Sequence, residues 1–309
     1  MARLEGTTIN NRYEVSTFLG RGGMAEVYKA HDRDTGRTVA LKFLRDDLAE
    51  DRVFLRRFRR EAQVLEQLRH PNIMAYYGFE ESGDKAFIVV EYVDGETLRR
   101  KLRRLKSPLT VGQALSILKP VCEALDYAHS LNIYHCDIKP ANIMIQGDGR
   151  VVVTDFGIAR MTGVATATSL TPGTPAYMAP EQCRGQDVSA QTDIYSLGVT
   201  LFEMITLERP FKGDTATIRG SANERIRWEQ IRRPAPSPRV FNPDVPLTVA
   251  RQVRIALSKK PSARHASAMQ FFQSLLVPGV VTIDYDWHWE ALERRPGDER
   301  PEDAETPST

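Results

Sequence analysis

The sequence predicts an α+β protein of two lobes, a β-rich first lobe built around one main helix and a helix-rich second lobe. Three observations carry this. The 309 residues are too many for one small core and suit two lobes. Up to Tyr92 the chain is a series of short β-forming runs separated by turn signals. After Asp94-Gly95 the apolar residues change to helical spacing.

In order, Tyr13 to Leu19, Ala25 to Ala30, Thr38 to Leu44, Ala75 to Glu80 and Ala86 to Tyr92 read as strands, punctuated by turns such as Asp34-Thr35-Gly36 and Ser82-Gly83-Asp84. Asp51 to Leu68 reads as the main helix, with Phe54, Phe58, Ala62 and Leu65 on one face and His70-Pro71 closing it. In the second lobe, Val111 to Leu131, Thr192 to Thr206, Leu247 to Leu257 and Ser267 to Leu276 have helical periodicity. Ile143 to Ile145 and Val151 to Val153 form strand-like runs around Gly147-Asp148-Gly149, and Pro234 to Pro246 is an irregular connection. The division is an N-terminal extension at 1–12, an N-lobe at 13–93, a C-lobe at 94–277 and a tail at 278–309. The tail is polar and acidic from Arg294 onward and is expected to be largely disordered.

Composition excludes several classes. Apolar and charged fractions of 41% and 27% are those of a globular protein, and a net charge of +2 gives no reason to expect nucleic acid or a membrane surface. Cys122, Cys136 and Cys183 are widely spaced and odd in number, which fits a reduced interior better than a disulfide framework or a metal site. The start has no apolar h-region and no apolar run reaches the ~18 residues of a membrane span. The expected location is cytoplasmic, with no membrane segment in this chain.

Gly20-Arg21-Gly22-Gly23-Met24-Ala25-Glu26-Val27 joins two predicted strands, and glycines there let backbone N–H groups approach a polyphosphate. A plain hairpin has the same composition. The next strand ends in Val39-Ala40-Leu41-Lys42, whose lysine is either a solvated surface charge or the cation for those phosphates. Glu61, in the main helix, is the candidate anion to hold that lysine, and an i,i+4 surface pair with Arg57 is its alternative.

The second lobe decides between these. His135-x-Asp137-x-Lys139-x-x-Asn142 offers a carboxylate, an ammonium and an amide carbonyl in one short loop. Phosphoryl transfer needs such a set: a carboxylate to orient the attacking hydroxyl, a cation at the moving phosphate, and oxygen ligands for a metal. Thirteen residues after Asn142, Asp155-Phe156-Gly157 supplies another hard oxygen ligand.

With these motifs in place the chain resembles the protein kinase superfamily from about Tyr13 to Leu276. The resemblance continues in Ala179-Pro180-Glu181, Asp193-Ile194-Tyr195-Ser196-Leu197-Gly198 and Arg264, and it implies a Glu181–Arg264 pair. Phe58-Arg59-Arg60-Glu61-Ala62 and Gly22-Gly23-Met24-Ala25-Glu26-Val27 are similar to the bacterial, eukaryotic-like (Hanks-type) serine/threonine group. The resemblance implies the bilobal kinase fold, ATP with Mg²⁺ (Mn²⁺ as the alternative), and protein substrates, with a homodimer as a further option. By the same resemblance Lys42 bridges the α- and β-phosphates and is held by Glu61. Asp137 takes or orients the hydroxyl proton, Lys139 steadies the γ-phosphate, and Asn142 and Asp155 hold the metal. Leu19, Gly20, Gly22 and Gly23 cover the nucleotide, while Val27, Ala40 and Met144 sandwich adenine. Val90 is the gatekeeper, and Glu91 to Val93 supply hinge hydrogen bonds. Lys139 and the Thr174 of Gly173-Thr174 imply serine/threonine specificity, with dual specificity as the alternative.

Two departures stand out. Ala25 occupies the place of a third glycine, a small change that implies tighter loop dynamics. Cys136 stands where many phosphorylation-switched kinases carry an arginine, and a cysteine cannot form that arginine's bidentate pair with a phosphate. The chain therefore resembles the non-RD class. Thr166 and Thr168 lie at the offsets where the bacterial group is autophosphorylated.

Overall fold

The computed structural model describes residues 4–22, 25–45, 52–83, 85–156, 175–289 and 292. The first lobe is a six-stranded sheet in the order β1-β2-β3-β4-β6-β5, formed by Thr8–Ile9 (β1), Tyr13–Arg21 (β2), Ala25–Asp32 (β3), Arg37–Leu44 (β4), Tyr76–Ser82 (β5) and Lys85–Glu91 (β6). The five predicted strands are β2 to β6. β1 lies in the stretch read as an extension and pairs Thr8 with Glu14 and Ile9 with Tyr13 across a tight turn.

Alternation along the strands gives the sheet two apolar faces. Tyr13, Val15, Tyr28, Val39, Leu41, Phe43, Phe87 and Val89 pack on one side, with Leu4 and Ile9 closing its edge. Ala40, Leu44, Ile88 and Val90 face the other way, toward helix α1 at Arg52–Leu65 and the main core. Phe58, Ala62 and Leu65 of α1 are buried there. Burying an aromatic such as Phe58 is worth roughly 1.5–3 kcal/mol, which is how a helix so rich in arginine is held to the sheet.

The second lobe is helical: α2 at Leu98–Arg104, α3 at Val111–Ser130, α4 at Pro180–Cys183, α5 at Ala190–Thr206, α6 at Ala222–Arg232, α7 at Leu247–Ala256 and α8 at Ala268–Leu275. Thr110 caps α3 in a reciprocal capping box with Gln113. α5 is buried nearly all round, its Thr192, Asp193, Ser196 and Thr200 each hydrogen-bonded within the core. Gly198 permits this crowding, since a Cβ there would lie 2.9 Å from the Ala256 Cβ of α7. A small three-stranded sheet of β7 (Gly95–Thr97), β8 (Ile143–Gln146) and β9 (Val151–Val153) faces the first lobe. β7 enters so close to β8 that a Cβ on Gly95 would stand 2.3 Å from the Ile145 carbonyl oxygen.

The stretch 278–309, expected to be largely disordered, begins with an ordered part. Residues up to 289 fold back on the second lobe: the Asp284 N–H donates to the Gly112 carbonyl at 3.1 Å and Trp287 Nε1 donates to Ser116 Oγ at 3.0 Å. Lys101 lies over the Trp289 ring at 4.9 Å. Its described residues form an isolated bridge from Val277 to Val281 and no element long enough to hold a period, so periodicity could not reveal it. Two tryptophans in a polar sequence were the available signal.

Candidate active site

The loop after α3 is built on one buried carboxylate. Asp193 of α5, with 0% exposure, accepts from the His135 N–H at 2.9 Å, the Cys136 N–H at 2.7 Å and the His129 ring at 2.8 Å. Those bonds hold Cys136 at φ +60°, the left-handed region, which costs a non-glycine residue roughly 1–2 kcal/mol. From the other side Gln182 of α4 donates to the Cys136 carbonyl at 2.8 Å. The Cys136 side chain is buried as a small apolar residue.

The turn aims the next residues outward. Asp137 donates its N–H to His135 Nδ1 at 3.2 Å, so the histidine carries its proton on Nε2 and donates it to the Thr154 carbonyl at 2.8 Å. Lys139 Nζ meets Asp137 Oδ2 at 2.7 Å. Asn142 donates from Nδ2 to the Asp137 carbonyl at 2.9 Å and to its Oδ2 at 3.0 Å, which turns its own Oδ1 away as an acceptor. The loop is joined to the strand before Asp155 by the Thr154 N–H, which donates to the Asn142 carbonyl at 2.9 Å.

Asp155, at φ +59°, receives Lys42 Nζ at 2.7 Å from the first lobe. Burial alone would raise this carboxyl, but the charge and hydrogen bond of Lys42, helped by His135 and Lys139, hold it below the usual carboxylate range. Phe156 beside it is buried against the His135 ring, with centroids 4.6 Å apart. The five charged or amide groups expected from sequence, Lys42, Asp137, Lys139, Asn142 and Asp155, thus come together in one place. Asn142 and Asp155 offer hard amide and carboxylate oxygens of the type a magnesium ion takes.

Around this cluster, Ala40 is buried opposite Val90 in the β4–β6 register, and Val27 lies opposite Lys42. Met144 sits across from Thr97 on β8, Val93 is buried in the connection between lobes, and Leu19 is 45% exposed at the end of β2. The Gly22 N–H closes the hairpin of Gly20 and Gly22 on the Ala25 carbonyl at 2.8 Å. Gly23, Gly157, Thr166, Thr168, Gly173 and Thr174 lie outside the described residues, as does the side chain of Glu61, whose backbone is in α1.

Further back, Arg264 forms a bidentate pair with Glu181 at 2.7 and 2.8 Å, and Thr192 donates to Glu181 Oε1 at 2.9 Å. This is the pair expected from sequence. Asp193 and Gln182, which hold the loop, were not assigned roles from sequence. An aspartate inside a largely apolar helix was the signal for the first.

A two-lobed α+β fold with a lysine from the sheet meeting a carboxylate beside an Asp–Lys–Asn loop defines a phosphotransferase of the kinase class. The chain belongs to the protein kinase domain family, whose model matches residues 13–275. Among curated proteins it is 42% identical over 275 residues to a probable serine/threonine-protein kinase, SCO3848, of Streptomyces coelicolor, covering 85% of this chain and 39% of that protein. It is 40% identical to the serine/threonine-protein kinase PrkC of Bacillus subtilis, covering 86% of this chain and 40% of that protein. It is 39% identical to the serine/threonine-protein kinase PknB of Mycobacterium tuberculosis, covering 87% and 43% respectively. The chain therefore spans about two fifths of the length of these relatives. Among solved structures, the kinase domain of Mycobacterium tuberculosis PknI matches with a TM-score of 0.69 at 30% identity, over 89% of this chain and 98% of that one. The chain is thus a Hanks-type kinase domain of the bacterial serine/threonine group.

Proposed function

We propose that the chain transfers the γ-phosphate of ATP to serine or threonine hydroxyls of protein substrates. What supports this most is the hydrogen-bonded cluster of Asp137, Lys139 and Asn142, joined through Thr154 to the Lys42–Asp155 pair. In this reading Asp137 accepts the proton of the substrate hydroxyl as its oxygen bonds the γ-phosphorus. The bond from that phosphorus to the oxygen shared with the β-phosphate breaks, and ADP leaves with the electron pair. Lys42, positioned by Glu61, faces the α- and β-phosphates, and Lys139 turns from Asp137 to the γ-phosphate. Asn142 and Asp155 would hold Mg²⁺, which when bound neutralises charge on the phosphate oxygens. Val27, Ala40 and Met144 would enclose adenine below Leu19, Gly20, Gly22 and Gly23, with Val90 behind it and the Glu91 to Val93 backbone hydrogen-bonding its edge.

The test is phosphate transfer from labelled ATP to the chain itself and to a generic protein. Asp137→Asn should lower kcat by about 10²–10⁴-fold, the usual worth of a positioned base. An unchanged rate, or label on tyrosine alone, would overturn the assignment. Thr174 would hydrogen-bond Asp137 and Lys139 and favour the serine/threonine acceptor. The wide spacing and odd number of Cys122, Cys136 and Cys183 fit a reducing, ATP-containing compartment. No helix among the described residues is long and apolar enough to cross a membrane.

Cys136 supports a second element of the proposal, substantial activity with an unphosphorylated activation segment. Its place in the loop offers no guanidinium to a phosphate at Thr166 or Thr168. A phosphatase-treated preparation should keep more than about a tenth of its activity, the least that a site assembled without phosphate would show. Loss beyond that, restored by autophosphorylation, would refute it.

A further inference from the structure

Arg150 lies outside the motifs, in the turn between β8 and β9. The turn is closed by the Gln146 N–H on the Arg150 carbonyl at 2.9 Å and held by the Arg150 N–H on Asp148 Oδ1 at 2.9 Å. Its guanidinium crosses to the other lobe. Nε donates to the Pro71 carbonyl at 2.9 Å, Nη1 meets Glu91 Oε1, Nη2 reaches Glu91 Oε2 at 3.3 Å, and Nη1 also reaches Gln146 Oε1 at 3.4 Å. Glu91 is the last residue of β6, where the chain leaves the first lobe for the second. Its carboxylate accepts the Ala75 N–H at 3.2 Å and its own N–H donates to the Ala75 carbonyl at 2.8 Å.

One fork-shaped cation therefore ties three segments: the loop after α1, the start of the connection between lobes, and a turn of the second lobe. Backbone bonds run alongside, from the Val153 N–H to the Asn72 carbonyl at 2.8 Å and from the Met74 N–H to the Val153 carbonyl at 3.0 Å. These fix the loop after α1 on β9. Ala75 carries that tie on to Glu91, and Arg150 adds a direct grip on the Glu91 carboxylate from the second lobe, where the bidentate geometry of a guanidinium sets both the position and the tilt of the carboxylate it holds.

We propose that Arg150 is a positioning residue for nucleotide binding: gripping Glu91 from the second lobe, it pre-sets the Glu91 to Val93 backbone that receives adenine. The proposal rests on the reading of that backbone as the adenine-binding edge. Without the grip the connection samples other tilts, and ATP must select the competent one. Among the described residues the hydrogen bonds of Arg150 go to Pro71, Glu91, Gln146 and Asp148, away from the Asp137, Lys139 and Asn142 cluster, so chemistry at saturating ATP should be unaffected.

The experiment uses the full chain and measures KM for ATP, kcat, the Kd of a fluorescent ATP analogue and Tm. Arg150→Ala should raise KM and Kd about tenfold with kcat within about twofold, the signature of lost ground-state binding. Arg150→Lys should behave like the alanine variant, since an ammonium lacks the fork. The swapped pair Glu91→Arg with Arg150→Glu should recover part of the affinity. Gln146→Ala should change little. A KM and Kd within twofold of wild type in Arg150→Ala would overturn the proposal, as would a lowered Tm with unchanged KM, or a joint collapse of KM and kcat. If the wild type binds the analogue but transfers no phosphate, the kinase reading fails while the Kd arm still judges Arg150.

Discussion

Replacing Arg264 by methionine keeps the volume near α5 and removes the charge that Glu181 is built around. In the native chain the two side chains are 0% and 4% exposed and share two hydrogen bonds. Arg264 also donates to the Ser258 carbonyl at 2.8 Å and to the Gln191 carbonyl at 2.8 Å. The variant leaves a buried carboxylate and two carbonyls without their donor. Breaking one side of a buried pair costs about 3–5 kcal/mol. At about 2–4 °C per kcal/mol for a chain of a few hundred residues, Tm should fall by roughly 6–20 °C. Burial would raise the Glu181 carboxyl, but Arg264 and Thr192 hold it below its ordinary value. Its stabilising contribution is therefore present above the unfolded carboxylate pKa and lost as pH falls through the folded one. The gap in Tm between wild type and variant should be full at neutral pH and narrow in acid. Adding Glu181→Gln to Arg264→Met removes the stranded charge and should recover about half of the loss. Calorimetry at two pH values checks all of this. An Arg264→Met variant within about 2 °C of wild type, below the span worked from buried pairs, would refute the reasoning. So would a double variant no more stable than the single.

Asp193→Asn should lower kcat by about 10–100-fold with little change in KM for ATP, because an amide can accept from one of the two loop N–H groups and opposes the other with its own N–H. Steady-state kinetics reads this, and an unchanged kcat would remove Asp193 as the anchor of the loop. Lys259 is pushed down to about 7 by burial and the nearby Arg264, lying 4.0 Å over Phe211 and 3.3 Å from the Tyr195 hydroxyl. The unfolded chain then holds the extra proton between about pH 7 and the ordinary lysine value, so stability on this account rises across that window. Around Lys259, Arg184 also favours the neutral amine, whereas Glu229 and Cys183 favour the charged one. Lys259→Met should accordingly stabilise by about 1–2 kcal/mol near pH 6.5 and by less near pH 9.5. Equal gains at both pH values in thermal melts would contradict it.

Much of the architecture was legible because it is local. The alternation in Tyr13 to Leu19 and the spacing in Val111 to Leu131 report which face is buried, and those elements lie within two residues of expectation. α6 was missed because it carries little apolar bias, with Ile226 its one buried hydrophobic residue, and β7 because three residues hold no period. In the site, Asp137, Lys139 and Asn142 are neighbours in sequence and could be read as a unit. Lys42 and Asp155 are separated by 113 positions, and sequence paired that lysine with Glu61 while giving Asp155 to the metal. The contact of Lys42 with Asp155 emerges only when the two lobes close on each other. Arg150 and Gln182 escaped for a related reason: each acts through a backbone carbonyl or a partner far along the chain, and neither belongs to a pattern of residue types.

The hold of Asp193 on the N–H groups of His135 and Cys136 separates two properties that share one loop. It grips the peptide backbone, so the turn that aims Asp137 does not depend on which side chain follows position 135. The side chain at 136 answers to separate constraints, its own burial and the positive φ. A lineage could change that side chain, within what burial and the positive φ allow, without re-engineering the chemistry one residue away. The same core helix would keep the catalytic carboxylate where it is.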